Sequence, residues 1–322
     1  MFMVRPSVLK NGGHLAKHLK TPEVTLAILI PAYNCRDTIS ETLASLQAIK
    51  TGWDRIEKVV VCDDASTDDT IDVINAVHFD RCRLELLRHD INRGEGHSYT
   101  TMVAALSPSV EWFLILHSDD LALDNFVDRN LELANRCGPR VAAVSSAYYE
   151  FDQHGEKLSY SQPEDLVVWR GDAHDDLMHT AVVGTWWHIS GSLVNRAAWE
   201  HYGGRDPALP QLGDWDLMLR WQRDGHMVGH SLIPTTKYRV TAKSVSSKSY
   251  LEFRDIAERA AVILRHPDIF TPAMRRRIGL WLGLQAGRRI VKLIAHGKVR
   301  AAATGSEKTM VALADLVLRG DL

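Results

Sequence analysis

What the chain lacks narrows its function before any motif is read. Its 322 residues hold four cysteines, Cys35, Cys62, Cys82 and Cys137, scattered with no CxxC pair, which argues against a disulfide scaffold and against a structural zinc site. No run approaches the roughly 18 apolar residues of a membrane span. The first twenty residues also lack the apolar stretch of about 7 to 15 that a signal peptide needs, so the expected location is cytoplasmic. Charge of one sign is missing too: 38 Lys and Arg stand against 40 Asp and Glu, a net charge of -2, and the molecule offers no basic field for nucleic acid. With 45% hydrophobic and 24% charged residues, the composition is that of a globular protein, neither disordered nor fibrous.

What is present is an α/β rhythm. Leu26–Ile30, Val59–Cys62, Trp112–Leu116 and Val141–Ser145 are apolar runs too short for helices and apolar on both faces, as strands inside a parallel sheet must be; Leu84–Leu87 is a weaker fifth. Between the first two, Thr38-x-x-Glu41 reads as a capping box opening a helix with Ile39, Leu43 and Leu46 on one face, and Ser66 followed by Asp69 opens a second helix. An open, mostly parallel sheet with helices on both faces binds its ligand beyond the carboxyl ends of its strands. From about Tyr148 to Val245 the pattern turns irregular and aromatic, with one clear helix at Trp215–Arg223, and from Tyr250 onward it is helical again.

The strand ends carry the chemistry. The first run leads into Pro31-Ala32-Tyr33-Asn34, the second into Asp63-Asp64-Ala65-Ser66, and the Trp112 run into His117-Ser118-Asp119-Asp120. No GxGxxG follows the first run, so a dinucleotide oxidoreductase would lack its phosphate-binding turn. Carboxylates gathered at neighbouring strand tips are unfavourable unless a cation or hydrogen-bond donors compensate. A divalent metal with a diphosphate is such a compensation, because Mn²⁺ and Mg²⁺ take oxygen ligands from carboxylates and phosphates together.

In this order the motifs resemble those of family 2 glycosyltransferases, the GT-A fold enzymes that use nucleotide sugars, over roughly residues 25–247. The resemblance implies that Pro31, Tyr33 and Asn34 with Asp63 and Asp64 embrace the nucleoside, one of the two acids reading the base, and that Asn92 and Gly94 of Asn92-Arg93-Gly94-Glu95-Gly96 lie near the nucleotide at a helix start. The family's DxD motif falls on His117-Ser118-Asp119. Asp119 then matches the metal-binding acid, while His117, with Ser118 near the ribose, replaces the first Asp as a neutral imidazole that still hydrogen-bonds or ligates. Gly213-Asp214-Trp215-Asp216-Leu217 resembles the ED-W-D-L segment whose second acid, here Asp214, is the general base of an inverting transfer; Gly213 stands where the first acid usually is. Tyr238 to Ser246 resembles the Y-R-x-H-x-x-S-x-S stretch with Thr241 for the His, so that Arg239 or Lys243 meets the diphosphate instead. Asp120, Trp186 and Trp187 complete the diphosphate and acceptor contacts.

Each feature also has a structural explanation: acid pairs cap helices, Asp214 opens one, and tryptophans fill cores. The conjunction in one order favours an enzyme. The expected activity is transfer from a nucleoside diphosphate sugar, UDP first because it is commonest in the family, to a hydroxyl of a glycan or lipid-linked glycan in polysaccharide, lipopolysaccharide or other glycoconjugate synthesis. The alternative, prompted by His117 and Gly213, is a catalytically weakened nucleotide-sugar-binding GT-A protein. The expected division is an extension over 1–22, a GT-A domain over 23–249 with a nucleotide-binding half to 147 and an acceptor half from 148, and a helical extension over 250–322. Within the last, residues 271–300 hold eight Lys or Arg and no acid, which fits a packed helix with a solvated basic face or peripheral contact with an anionic membrane.

Overall fold

The apolar runs are strands in the computed structural model, which describes residues 24–152, 154–158, 167–169, 177–178, 180–181, 187–241 and 245–318. β1 (Thr25–Ala32), β2 (Ile56–Asp63), β3 (Arg83–Arg88) and β4 (Val110–Ile115) lie in the order β3-β2-β1-β4, all parallel. Their unbroken hydrophobicity has a direct cause. Leu26, Ile28 and Ile30 of β1 enter one core while Ala27 and Leu29 enter the other, and Val59 and Val61 of β2 part from Val60 and Cys62 in the same way. A strand covered on both faces leaves no position for a solvated side chain.

Helices α1 (Ile39–Ala48), α2 (Thr70–Ala76), α3 (Glu95–Ala104) and α4 (Phe126–Cys137) supply those covers, with α1, α2 and α4 on the face of Ile28 and α3 on the face of Leu29. Two helix starts differ from the sequence reading. Thr38 makes no capping bond to α1; its hydroxyl donates to the Ser118 carbonyl at 2.9 Å, tying the helix entry to the tip of β4. The second helix starts at Thr70, whose amide and hydroxyl donate to Asp68, because Ser66 is taken up by Asn34.

The second half is more regular than its sequence suggests. After β5 (Leu121–Ala122) come β6 (Val141–Asp152), β7 (Gly155–Leu158), β8 (Val167–Trp169), β9 (Leu193–Asn195), α5 (Arg196–His201), α6 (Gly213–Arg223) and β10 (Met227–Arg239). The sheet continues β4-β9-β6-β10-β5, with β9 antiparallel to both neighbours and β10 parallel to β6; β7 and β8 pair with β6 and β10. The thirteen-residue β10 is hidden in the sequence because its register with β6 shifts between Ser231 and Thr236 around Pro234, which has no amide to offer the ladder.

The C-terminal helices are α7 (Val245–Glu252), α8 (Arg254–Arg265), α9 (Pro272–Ala295) and α10 (Val299–Leu318). Thr271 caps α9 by accepting the Met274 amide, and Pro272 fills the first turn, where its missing donor costs nothing. Ile263, Phe270, Ile278, Leu282 and Leu316 join the same core as Trp215 and Leu217 of α6. Among the described residues, no helix is long and apolar enough to cross a membrane.

Candidate active site

The tips of β1 and β2 are laced together by short polar side chains. The Asn34 amide donates to Ser66 Oγ at 2.9 Å, and Asn34 Oδ1 accepts the Thr67 amide at 2.8 Å. Asn34 has a φ of 48°, the left-handed conformation that Asn tolerates better than most residues. Pro31 is buried at the end of β1, whereas Tyr33 stands exposed beside it.

The two adjacent acids that end β2 have different employments. Asp64 accepts the amides of Arg93 and Gly94 at 2.9 and 2.7 Å and faces His89 Nδ1 at 2.7 Å, so both its oxygens organise the approach to α3. Gly94 has a φ of 85°, and nothing lies within 4 Å of where its β-carbon would be, so the backbone is bare there; Asn92 is exposed alongside. Asp63 accepts the Ser66 amide through Oδ2 at 3.0 Å, with Arg88 Nε 4.0 Å from the same oxygen, while Oδ1 is buried with no hydrogen-bond partner among the described residues.

At the tip of β4, Asp120 is structural as well as acidic: Oδ2 accepts Ser190 Oγ at 2.6 Å and Oδ1 the Arg239 amide at 2.9 Å. Arg239 in turn donates through Nε to the Asp119 carbonyl at 2.8 Å and stacks over the Phe151 ring. His117 Nε2 lies 2.9 Å from Glu95 Oε1 and 3.2 Å from the Tyr99 hydroxyl. Burial pulls the His117 pKa down, but the Glu95 carboxylate outweighs it and lifts it to about 9. Beside Glu95 the imidazole favours its protonated, hydrogen-bond-donating form more than an isolated histidine does. Ligand atoms of His117, Asp119 and Asp120 lie within 4.8 Å of one another, and Asp119 is the carboxylate of the three that accepts no hydrogen bond among the described residues. Two carboxylates gathered with a histidine fit a hard divalent cation, which takes oxygen ligands.

Glu95 is the hub that the sequence reading passed over. Besides His117 it accepts the Tyr99 hydroxyl at 2.9 Å and an Arg205 Nη1 proton. Burial alone would raise its pKa; Arg205 and His117 hold it well below the usual carboxylate range. Arg205 also bears on Asp214, at the start of α6. Burial raises the Asp214 pKa and the Arg205 charge opposes it, and Asp214 Oδ1 accepts its neighbour's amide, Trp215 N, at 2.8 Å. Asp216 turns the other way, to His266 Nε2 at 3.0 Å and Arg220 at 2.9 Å.

Trp187 does not line the site. It is fully buried against Trp221, so it has no face to give an acceptor, and of its two roles only the packing one is available. An aromatic group stands nearer: His188, next to Trp187 in sequence, packs on Tyr148 and Tyr238, with its ring 6.3 Å from that of His117. Trp186 and Lys243 lie outside the described residues. Arg205 and Glu95 had one visible signal each, a charged residue following the Gly203-Gly204 pair and another inside a glycine-flanked turn.

The chain is similar to known proteins in both sequence and structure. Two curated relatives match in sequence: UDP-Glc:alpha-D-GlcNAc-diphosphoundecaprenol beta-1,3-glucosyltransferase WfaP of Escherichia coli, 48% identical over 52 residues, 16% of this chain, and the succinoglycan biosynthesis protein ExoO of Rhizobium meliloti, 34% identical over 123 residues, 38% of this chain. The matches span 20% and 33% of those relatives' own lengths. In structure the chain is similar to S. aureus TarS 1-349 in complex with UDP-GlcNAc (TM-score 0.59, 14% identity, covering 88% of this chain and 91% of that one). It is also similar to the mannosyltransferase PcManGT from Pyrobaculum calidifontis in complex with GDP-Man and Mn²⁺ (TM-score 0.58, 19% identity, covering 91% and 86%). At these identities the structural likeness shows the fold, a GT-A glycosyltransferase fold. The model of the family described as glycosyl transferase family 2 matches residues 27–192, just over half of the chain and all three strand tips described above, and the chain belongs to that family.

Proposed function

We propose that the protein is an inverting glycosyltransferase that moves a sugar from a nucleoside diphosphate sugar, a UDP-sugar first, to a hydroxyl of a glycan or lipid-linked glycan. The observation that supports this reading most is Glu95, at the start of α3, joining His117 of the β4 tip to Arg205 beside Asp214, directly after the Arg93-Gly94 turn that Asp64 of the β2 tip holds. Asp63, with Oδ1 free to accept, takes the imino N–H of the base, and Tyr33 covers its ring. Asn34, Asp64, Asn92 and Gly94 hold that cradle, His117 and Ser118 meet the ribose, and Arg239 meets the diphosphate. A divalent cation, Mn²⁺ or Mg²⁺, held by Asp119 would neutralise the charge of the departing diphosphate.

The acceptor oxygen attacks the anomeric carbon as the bond from that carbon to the diphosphate oxygen breaks. The bonding pair leaves with the nucleoside diphosphate, the hydroxyl proton passes to Asp214, and attack opposite the leaving group inverts the centre. Calorimetry with UDP, GDP and dTDP, each with and without Mn²⁺, tests the donor half. One nucleotide should bind in a metal-dependent way that Asp119→Ala abolishes. Asp214→Asn should cut turnover by about 10² to 10⁴ with donor binding intact. Undiminished turnover in Asp214→Asn removes the base, and nucleotide binding with no transfer in the wild type favours a weakened nucleotide-sugar binder, the reading that His117 and Gly213 prompt.

The proposal includes a peripheral membrane contact. α9 turns Leu280, Leu284 and Val291 outward, each about two-thirds exposed, flanked by exposed Arg276, Arg277, Arg288 and Lys292, with no acid between residues 271 and 300. Such a stripe complements anionic headgroups and repels a second copy of itself. Co-sedimentation with anionic vesicles at low salt should be lost in Leu280→Asp/Leu284→Asp; no binding by the wild type sinks the contact.

A further inference from the structure

Arg205 occupies a place where a charged side chain needs a counterpart. It follows α5 and is only 6% exposed. Its Nη1 donates to Glu95, 110 residues away on α3, and its Nη2 to the Pro210 carbonyl at 2.6 Å, while Nε is buried with no hydrogen-bond partner among the described residues. Gly213 makes the room for it: a β-carbon there would stand 2.6 Å from Arg205 Cγ and 3.0 Å from Nε. A second close approach fixes the loop, since a β-carbon on Gly96 would meet the Pro207 Cα at 3.1 Å. The guanidinium is thus clamped between the first turn of α3 and the residue that precedes Asp214.

We propose that Arg205, clamped by Glu95 and packed against Gly213, the residue before Asp214, is the positioning residue that supplies the positive charge beside the Asp214 carboxylate when it serves as base. The inference rests on the reading of Asp214 as that base. A buried carboxylate is costly to ionise unless a cation lies close. The groups that bear on Asp214 are Arg205, Glu95, Tyr99 and, from α8, Arg259. Arg259 is occupied elsewhere: its Nη1 donates to the Thr180 and Ala181 carbonyls at 2.9 Å each, and the guanidinium stands 5.6 Å from the Trp215 ring centroid. Arg205 is the cation that outweighs Glu95 at Asp214. The same Glu95 carboxylate holds His117, so one side chain fixes the ring at the β4 tip and the partner of the base together.

The sign of the test follows. Without the Arg205 charge, Asp214 holds its proton to higher pH, so the acidic limb of kcat/KM moves up. In Arg205→Gln the limb should rise by about one pH unit or more, with lost activity recovered at alkaline pH and nucleotide Kd within about threefold of wild type. Arg205→Lys should restore most of the shift. Gly213→Ala, which displaces the side chain without removing its charge, should raise the limb as well, and it carries the test together with Arg205→Lys if Arg205→Gln does not melt cooperatively. An unmoved limb in a folded Arg205→Gln, or in Gly213→Ala, overturns the inference. If Asp214→Asn is inactive in the same series, the base reading survives that failure; if Asp214→Asn keeps its turnover, the base reading has failed and the inference with it.

Discussion

Glu258 and Leu212 lie 46 residues apart in sequence, and Glu258 Oε2 accepts the Leu212 amide at 2.9 Å. The same oxygen accepts the Gln211 amide at 2.9 Å. These two amides stand just ahead of α6, so a side chain of the C-terminal helices caps the helix that begins with Gly213 and Asp214. His266 against Asp216 and Phe270 against Trp215 make the same joint from the next segment.

Removing the cap should therefore be felt in stability and not only in activity. Two orphaned amides at about 1 to 3 kcal/mol each put Glu258→Ala at about 2 to 6 kcal/mol of lost stability, and Glu258→Gln, whose remaining oxygen can still accept both amides, at about 1 kcal/mol or less. Urea denaturation of the three proteins measures it. A loss below about 0.5 kcal/mol in Glu258→Ala would mean that solvent caps α6 as well as Glu258 does.

Asp63 and Asp64 are neighbours that should fail differently. Asp64→Asn leaves one of two backbone amides facing an NH2 group in place of an acceptor and should cost about 1 to 3 kcal/mol, with nucleotide affinity falling as a consequence. Asp63→Asn loses less internal bonding, and is expected to stay within about 1 kcal/mol of wild type while losing at least about tenfold in nucleotide affinity. Parallel denaturation and calorimetry separate the two patterns; equal stability losses would contradict the division of labour.

His230 should make the fold sensitive to acid. It is buried, with Nδ1 3.0 Å from Ser145 Oγ, and burial lowers its pKa from 6.5 to about 4. Between those values the unfolded chain binds a proton that the folded chain refuses, so stability rises with pH across that window and is lost as pH falls through it, by up to about 3 kcal/mol. Unfolding free energies at pH 7, 6 and 5 should show this slope, and His230→Gln should flatten it by close to one proton. An unchanged slope in His230→Gln would assign the acid sensitivity to other groups.

The strand ends were legible because burial on both faces forces an unbroken apolar run, and whatever follows such a run lies at the sheet edge. Leu26–Ile30 and Val59–Cys62 fall inside β1 and β2 for that reason. Contacts that cross the fold left no such trace. The Thr38 hydroxyl has a local capping role available and takes the distant Ser118 carbonyl instead, a choice that only the packed structure makes. β10 was obscured by Pro234, and the pairing of Arg205 with Glu95 across 110 residues has no spacing that a sequence could display. Which of two adjacent acids keeps a free oxygen is likewise settled by backbone amides, those of Ser66, Arg93 and Gly94, whose directions depend on the turn.

The three-residue strand β9 also sets an order of assembly. Leu193, Val194 and Asn195 complete the outer edge of β4 by pairing with Leu114, Phe113 and Trp112, and they stand between β4 and β6. Ser190, just before them, accepts the His117 amide at 3.0 Å and donates to Asp120 at 2.6 Å, so it pins both ends of the β4 tip. During synthesis the first four strands and their helices emerge with an open apolar edge, which remains a hazard for wrong pairing until residues 190–195 arrive. A nascent chain stopped short of that point has all three strand tips in its sequence but lacks the Ser190 bonds to the His117 amide and the Asp120 carboxylate.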